Sequence, residues 1–393
     1  MARRMIFITF YVCYFCSLAL SQSDTLGTWF FRSPLPTPRQ EVPHAVLNGK
    51  IYVPGGLASG GIGSSVVEVF DPATNLWSTA ASLPEPLHHL GFAAANGKLY
   101  VLGGYTGNSF TPTNRVYEYL PDSNLWRQKT SMPVARGAHV AVEFQGKIYV
   151  IGGVQSGVGV TQRNDVYDPI TDSWQNLTDM PTAREHLAGA AIDSLIYVVG
   201  GRVGSSNRNT LEAYSPTSNT WYTKASMPTA RGGLAAATLN GRLYVFGGEI
   251  PGVYPQNEEY NPATNTWRTM APMPTPRHGI GAATVGDSIF IIGGATVQGL
   301  GVTDVNEAFT LSPLTNVVDR ESILQKQFVL YQNYPNPFNP NTDLRFEIRD
   351  VSHVRLVVYD IRGRWTATIV NERLIPGIYT RKWNADGMSS GVY

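Results

Sequence analysis

The sequence predicts an all-β protein built from repeats, and two observations support that prediction. The 393-residue chain is rich in turn formers, with 39 Gly and 26 Pro, while only 15% of its residues are charged. A helical bundle needs few glycines and many Ala, Glu, Lys and Leu, so this composition disfavours one. The second observation is a unit of 46–49 residues that recurs six times, each copy marked by a Gly-Gly pair. These pairs begin at Gly55, Gly103, Gly152, Gly200, Gly247 and Gly293.

Each unit is predicted to contain four short strands, named a to d in chain order. The Gly-Gly pair closes strand b, a run of β-branched and aromatic residues such as Lys98-Leu99-Tyr100-Val101-Leu102. Strand c carries one aromatic residue in each unit, at Phe70, Tyr119, Tyr167, Tyr214, Tyr260 and Phe309. Strand d carries a tryptophan seven residues later in the first five units, at Trp77, Trp126, Trp174, Trp221 and Trp267. Turns such as Asp71-Pro72-Ala73-Thr74-Asn75 join c to d.

This pattern resembles the Kelch repeat over roughly residues 25–316. The resemblance implies a six-bladed β-propeller in which strand a of every blade lines a central channel. The sixth unit has Val318 where a tryptophan is expected, whereas Trp29 has no Gly-Gly pair before it. We therefore predict that an N-terminal strand around Trp29 completes the sixth blade. Such a closure leaves the ring without an unpaired strand edge.

The N-terminus has the layout of a secretory signal peptide, residues 1–21. Arg3 and Arg4 precede an apolar run that ends at Leu20, and cleavage is predicted near Ser21. The alternative, a membrane anchor, needs about 20 apolar residues, and this run is shorter. The predicted propeller then spans residues 22–318. Both cysteines of the chain lie inside the signal segment, so the mature protein is predicted to have no disulfide. A secreted or outer cell-surface location follows.

The C-terminus has a different texture from the repeats. A polar linker is predicted over 319–327, and residues 328–393 contain the runs Gln-Asn-Tyr-Pro-Asn-Pro-Phe-Asn-Pro from Gln332 and Val-Tyr-Asp from Val358. Together they resemble the Ig-like C-terminal sorting domain of bacterial type IX secretion, a small β-sandwich. The resemblance implies recognition by the secretion machinery. Because that family continues past the equivalent of Tyr393, we expect an incomplete domain, and a periplasmic location if the signal is defective.

The length of the repeats varies only between the Gly-Gly pair and strand c. In an up-and-down sheet the b–c and d–a connections emerge on one side, here called the b–c/d–a face. Function concentrates on variable loops over a rigid scaffold, so ligand contacts are predicted there. Five arginines recur at one d–a position: Arg39, Arg136, Arg184, Arg231 and Arg277. The other candidate ligand contacts are His88, His89, Glu185, His186, His278, Tyr105 and Tyr254, and Glu41 stands beside the arginines.

Each candidate has a structural alternative. A recurring arginine suits carboxylate, phosphate or sugar hydroxyl groups, but it also suits bracing of the blades through carbonyls and local carboxylates. Blade 2 breaks the arginine series with Leu87, which is followed by His88 and His89. Those histidines either contact a ligand or are simply solvated, and the aromatics Tyr105 and Tyr254 either stack on a ligand or pack their own loops.

The sequence favours a binding protein over an enzyme. The predicted function is recognition of a glycan or peptide on the b–c/d–a face by a monomer, without metal, cofactor or catalysis. One alternative is a carbohydrate-active enzyme such as a sugar epimerase or mutarotase, with acid and base groups supplied by Glu185, His186, His278 and Arg184. Another is a structural adhesion protein. A formal net charge of +1 offers no surplus of cations for nucleic acid, and the copper radical oxidases among Kelch propellers need a cysteine.

Overall fold

The computed structural model describes residues 26–311, 328–336, 340–348, 351–359 and 365–386. The chain divides into two compact units, one spanning Asp24–Pro313 and the other containing Leu314–Tyr393. The predicted signal peptide 1–21, the linker 319–327, Val318 and the chain end 387–393 lie outside the described residues. In the part of the chain that is described, no helix has the length and apolarity required to cross a bilayer.

The first unit consists of six four-stranded antiparallel sheets, the blades, each ordered a-b-c-d. In blades 1 to 3 the strands are Ala45–Leu47, Lys50–Pro54, Val67–Asp71 and Leu76–Ala80; Gly91–Ala95, Lys98–Leu102, Val116–Leu120 and Leu125–Lys129; Val140–Phe144, Lys147–Ile151, Asn164–Asp168 and Ser173–Asn176. In blades 4 to 6 they are Ala188–Ile192, Leu195–Val199, Leu211–Ser215 and Thr220–Thr223; Ala235–Leu239, Arg242–Phe246, Asn257–Asn261 and Thr266–Thr269; Gly281–Val285, Ser288–Ile292, Asn306–Thr310 and Thr28–Phe31.

The last of these strands closes the ring. Thr28–Phe31 pairs antiparallel with Asn306–Thr310, and Trp29 lies opposite Phe309 as Trp126 lies opposite Tyr119. Strand a of each blade contacts strand a of the next, and that of blade 6 contacts that of blade 1. The predicted N-terminal closing strand is therefore confirmed.

Tryptophans connect neighbouring blades by a repeated hydrogen bond. Each indole Nε1–H donates to a backbone carbonyl beside the preceding blade, at 2.7–3.0 Å: Trp29 to Ala271, Trp77 to Ser33, Trp126 to Ala81, Trp174 to Thr130, Trp221 to Thr178 and Trp267 to Ala225. In blade 2, Asn124 Oδ1 also accepts from the N–H of Ala81 at 2.7 Å. Gly27 holds the corresponding place in the closing strand, and the Leu26 carbonyl accepts from Ala271 N–H instead.

Apolar side chains fill the space between blades. Between blades 6 and 1, for example, Ile51 and Phe70 pack with Phe290 and Ile292, and the Phe70 and Phe290 rings are 5.8 Å apart. Each large apolar side chain that is fully buried contributes about 1.5–3 kcal/mol. At the closing strand itself, Trp29 packs against the cluster of Phe246 and Phe309.

The second unit is also all β. Its described strands form one sheet of Phe328–Leu330, Asn341–Ile348 and Gly377–Asn384 and another of Ser352–Tyr359 and Trp365–Leu374. Leu344 and Trp383 of the first sheet pack against Leu356 and Ala367 of the second. The two sheets thus form a small two-layer β structure.

The propeller loops contain short strand segments. They are Leu57–Ala58, Ile62–Gly63, Leu87–His88, Tyr105–Thr106, Arg136–Gly137, Val154–Gln155, Gly159–Val160, Arg202–Val203 and Ser206–Asn207, with one 3-10 turn at Ser59–Gly61. In every blade the d–a connection pairs with the start of the b–c loop: Gln40 with Leu57, His88 with Tyr105, Gly137 with Val154, Glu185 with Arg202, Gly232 with Glu249 and His278 with Ala295. Both connections therefore share one face, as predicted.

Candidate functional site at the channel mouth

The five predicted arginines are buried braces inside the blades. Each has 0% exposure and forms an ion pair with a carboxylate on strand c of its own blade, the partners being Glu68, Asp165, Glu212, Glu258 and Glu307. Arg136 Nη2, for example, lies 2.7 Å from Asp165 Oδ2. Burial lowers the pKa of Arg136 to about 10, and the Asp165 carboxylate opposes that shift. The arrangement is the bracing alternative, and it leaves these guanidinium groups no surface for a ligand.

Blade 2 replaces both members of the brace. Leu87 occupies the arginine position, and Tyr117 occupies the carboxylate position two residues before the strand c aromatic. Leu87 and Tyr117 belong to one apolar cluster, and the Tyr117 hydroxyl donates to Glu85 at 2.7 Å. The sequence contains a signal of the brace that the prediction missed. An acidic residue stands two positions before the strand c aromatic in the five blades that have the arginine, and blade 2 lacks both.

A ring of six residues, here called the belt, surrounds the channel mouth. Each stands two positions after the arginine or leucine of its blade: Glu41, His89, Ala138, His186, Gly233 and Gly279. All six have φ between +49° and +68°. Five backbone N–H groups each donate to the belt carbonyl of a neighbouring blade at 2.7–3.0 Å: Glu41 to Gly279, Ala138 to His89, His186 to Ala138, Gly233 to His186 and Gly279 to Gly233. Backbone hydrogen bonds thus connect most of the belt.

Three belt positions have ionisable side chains although their backbone conformation favours glycine. A left-handed backbone disfavours a residue with a Cβ atom by about 1–2 kcal/mol, so glycine suits these positions, as in blades 5 and 6. Glu41, His89 and His186 nevertheless take this conformation. Strained non-glycine residues cluster at functional sites. The three side chains border one cavity together with His139.

Glu41, His89 and His186 converge although they come from blades 1, 2 and 4. His89 Nε2 lies 3.5 Å from Glu41 Oε2, and the two imidazole centroids are 4.9 Å apart. One potential ligand atom from each residue lies within 4.8 Å of the others, and in the described part of the chain these three form the group suited to a metal ion. The sequence placed Glu41 near the arginines but did not bring it together with the two histidines.

Hydrogen bonds fix which ring nitrogens face the cavity. His88 Nε2 is 3.1 Å from the Ser109 carbonyl, so it carries the proton there, and His88 Nδ1 accepts. His89 Nδ1, at 2.6 Å, then donates to His88 Nδ1. Burial lowers the pKa of His89 well below its usual value, and the imidazoles of His186 and His88 lower it further, so His89 is neutral. Its Nε2 therefore presents a lone pair.

His186 is oriented by a carboxylate. Its Nδ1 is 2.8 Å from Glu185 Oε2, and Arg202 Nε donates to the other oxygen of Glu185 at 3.2 Å. Burial raises the pKa of Glu185, but His186 and Arg202 outweigh that effect and the net shift is downward. Arg202 also pairs with Glu249, whose Oε2 lies 3.5 Å from His278 Nδ1. Predicted residues of blades 4 and 6 thus belong to one charged network.

The predicted loop aromatics divide into two cases. Tyr105 lies on Gly137, and its ring is 5.4 Å from those of His88 and Phe110. Burial raises the pKa of Tyr105, as do the Glu185 and Glu41 carboxylates. Tyr254 instead donates to the Ile250 carbonyl of its own loop at 2.8 Å. Tyr105 therefore borders the site, whereas Tyr254 supports its loop.

Comparison with known proteins identifies the repeats and the fold. The family profile described as the KLHDC2/KLHL20/DRC7 Kelch-repeats domain matches residues 88–294, and the Kelch motif profile matches residues 38–84. The solved structure titled "Structure of YjhT" superposes with a TM-score of 0.61 at 20% identity, covering 70% of this chain and 95% of that one. At this identity the likeness concerns the fold alone. No curated protein sequence matches the chain significantly.

Proposed function

The chain belongs to the KLHDC2/KLHL20/DRC7 Kelch-repeats domain family, whose propellers are binding scaffolds, and on that premise we propose that it binds a glycan at the channel mouth. The observation that carries the proposal is the position of Phe110. Phe110 is 61% exposed, and its ring lies 5.2 Å from that of His88 and 5.7 Å from that of His89, which borders the cavity. An aromatic face can pack against the apolar face of a sugar ring.

The cavity suits a sugar better than an extended peptide. Its volume of about 100 Å³ is below the roughly 300–1,000 Å³ of sites that enclose a whole small molecule, so it would hold one end of a sugar while the rest lies on the loops outside. Carboxylate and imidazole groups on its wall can accept and donate hydrogen bonds to hydroxyls. Extended peptides commonly bind by adding a strand to an open sheet edge. The belt backbone offers few such groups, because five of its N–H groups are already bonded around the ring.

Removing the Phe110 ring is expected to weaken glycan binding about tenfold, the equivalent of about 1.4 kcal/mol. The test starts with a glycan and peptide array of the full protein, followed by calorimetry of the best sugar with Phe110→Ala. Phe31→Ala is the matched control, because Phe31 is 69% exposed on the closing strand of blade 6. Equal affinities for the two variants, or array binding to peptides alone, would refute the proposal.

A carbohydrate-active enzyme is the second candidate, favoured by the hydrogen-bonded Glu185–His186 pair at 2.8 Å. A carboxylate that orients an imidazole is a common arrangement for general acid–base chemistry. Exchange spectroscopy of the bound sugar distinguishes the two functions. Anomeric or epimeric exchange that is accelerated by the protein and lost in Glu185→Gln would replace binding by catalysis.

We also propose that the protein is exported as a monomer. The signal peptide layout of residues 1–21 supports export, and the two-layer β unit after residue 327 is compatible with the Ig-like sorting domain that the sequence resembles. Mass spectrometry of the N-terminus of the protein recovered outside the cell checks the cleavage near Ser21. A retained leader in the cell pellet would contradict export.

A further inference from the structure

We propose that Glu41, His89 and His186 bind one divalent transition-metal ion, of the zinc type, at the channel mouth. The site shares the cavity in which we propose that the sugar binds, but it can be tested with the metal alone, because all three ligands come from the belt itself. Two imidazole nitrogens and one carboxylate oxygen form a ligand set that zinc and similar divalent transition metals accept in proteins. Three protein ligands leave coordination positions open toward the cavity.

Three blades that are far apart in sequence supply the ligands. The belt brings one atom from each of Glu41, His89 and His186 to within 4.8 Å of the others, so a modest closure of the side chains suffices for coordination. All three side chains are largely shielded from water, with exposures of 13%, 5% and 9%. Ligand atoms in such a position lose few contacts with water when a metal binds.

The Nδ1 atoms of both histidines already have hydrogen-bond partners that hold the rings in place. His186 donates its Nδ1–H to Glu185, and His89 donates its Nδ1–H to His88, which is held in turn by the Ser109 carbonyl. Metal-bound histidines characteristically donate the other ring N–H to a carboxylate or a similar acceptor, which fixes the ring orientation. With Nδ1 used in this way, Nε2 is the ring nitrogen that each imidazole has left to offer a metal ion.

Glu41 and His89 already face each other across the site. His89 Nε2 lies 3.5 Å from Glu41 Oε2, while the other ring nitrogen, Nδ1, lies 2.6 Å from His88 Nδ1. A divalent ion coordinated by Nε2 and the carboxylate would link blades 1 and 2 at this contact.

Calorimetric titration of the full protein, freed of metal by a chelator, with ZnCl₂ tests the site. We expect one ion per chain and stabilisation of the fold against heat by added zinc. Glu41→Gly and His186→Gly remove a ligand and place glycine where φ is +55° and +49°, so both variants should fold. Each should bind zinc more than 100-fold more weakly, because even loss of an outer-shell partner costs about 10–100-fold. Glu185→Gln should weaken zinc binding by about 10–100-fold, because Glu185 holds His186 without touching the ion.

His353→Gly, in the second unit, is the control for adventitious histidine binding and should bind zinc as the unmodified protein does. Thermal unfolding without metal verifies that each variant is folded. Folded Glu41→Gly and His186→Gly proteins that bind zinc with unchanged affinity would overturn the proposal. Absence of zinc binding by the unmodified protein, or a loss on His353→Gly equal to that of the belt variants, would overturn it as well.

Discussion

Replacing Arg231 by leucine is expected to lower the free energy of unfolding of the propeller by about 3–5 kcal/mol. Arg231 has no exposed surface, pairs with Glu258 and donates to the Val245 carbonyl at 3.0 Å. After the change, Glu258 would remain a buried carboxylate with the Thr229 hydroxyl, at 2.8 Å, but without its cation. An uncompensated buried charge is far more costly than an absent ion pair. Thermal unfolding monitored by tryptophan fluorescence measures the loss.

Blade 2 supplies the matched control for that experiment. Its natural set at the equivalent positions is Glu85, Leu87 and Tyr117, in which no buried cation needs a partner. The triple variant Thr229→Glu, Arg231→Leu, Glu258→Tyr should therefore recover most of the lost stability. A single variant within about 1 kcal/mol of the unmodified protein would show that the brace contributes little.

Deleting the closing strand, residues 28–31, is expected to abolish the stable monomer. The strand Asn306–Thr310 would lose its outer neighbour and expose a free edge, which promotes association with other chains. The contacts of Trp29 with Phe246 and Phe309, at centroid distances of 5.8 and 5.2 Å, would also disappear. Light scattering after gel filtration and thermal unfolding measure the two effects together.

Two controls separate ring opening from simple loss of contacts. Trp29→Phe keeps the strand but removes the donor to the Ala271 carbonyl, and should cost only about 1 kcal/mol. A synthetic peptide of residues 24–34, added in trans to the deleted protein, should restore the monomer. A deleted protein that stays monomeric and melts at the original temperature would contradict the role assigned to this strand.

The sequence predicted the scaffold well because every blade carries residues that mark where its strands end. Gly-Gly pairs, aromatics and tryptophans repeat in register, and Trp29 without a pair before it indicated the closing strand, which lies opposite Phe309. These signals are local, because they arise from turn geometry and from packing between adjacent strands. Repetition made them visible without any knowledge of long-range contacts.

The site was harder to predict because it depends on convergence around the ring. Glu41, His89 and His186 do not repeat, and no local spacing relates residues of blades 1, 2 and 4. Comparing the same position across all units would have revealed that they share one circle. The arginines misled in the opposite way: a repeated cation near a channel suggests a ligand, whereas burial beside a strand c carboxylate makes it a brace.

In the belt, the backbone connects the blades and the side chains face the channel mouth. Five of the belt's contacts between blades are backbone hydrogen bonds, which do not depend on the side chain at each position. Mutation can therefore exchange one side chain per blade at the channel mouth while the ring keeps its shape. Ala138 and Gly233 are the belt positions with room for a different side chain, whereas a Cβ at Gly279 would lie 2.8 Å from Glu41 Oε1. Such a belt gives evolution, or a protein engineer, a way to change recognition without rebuilding the scaffold.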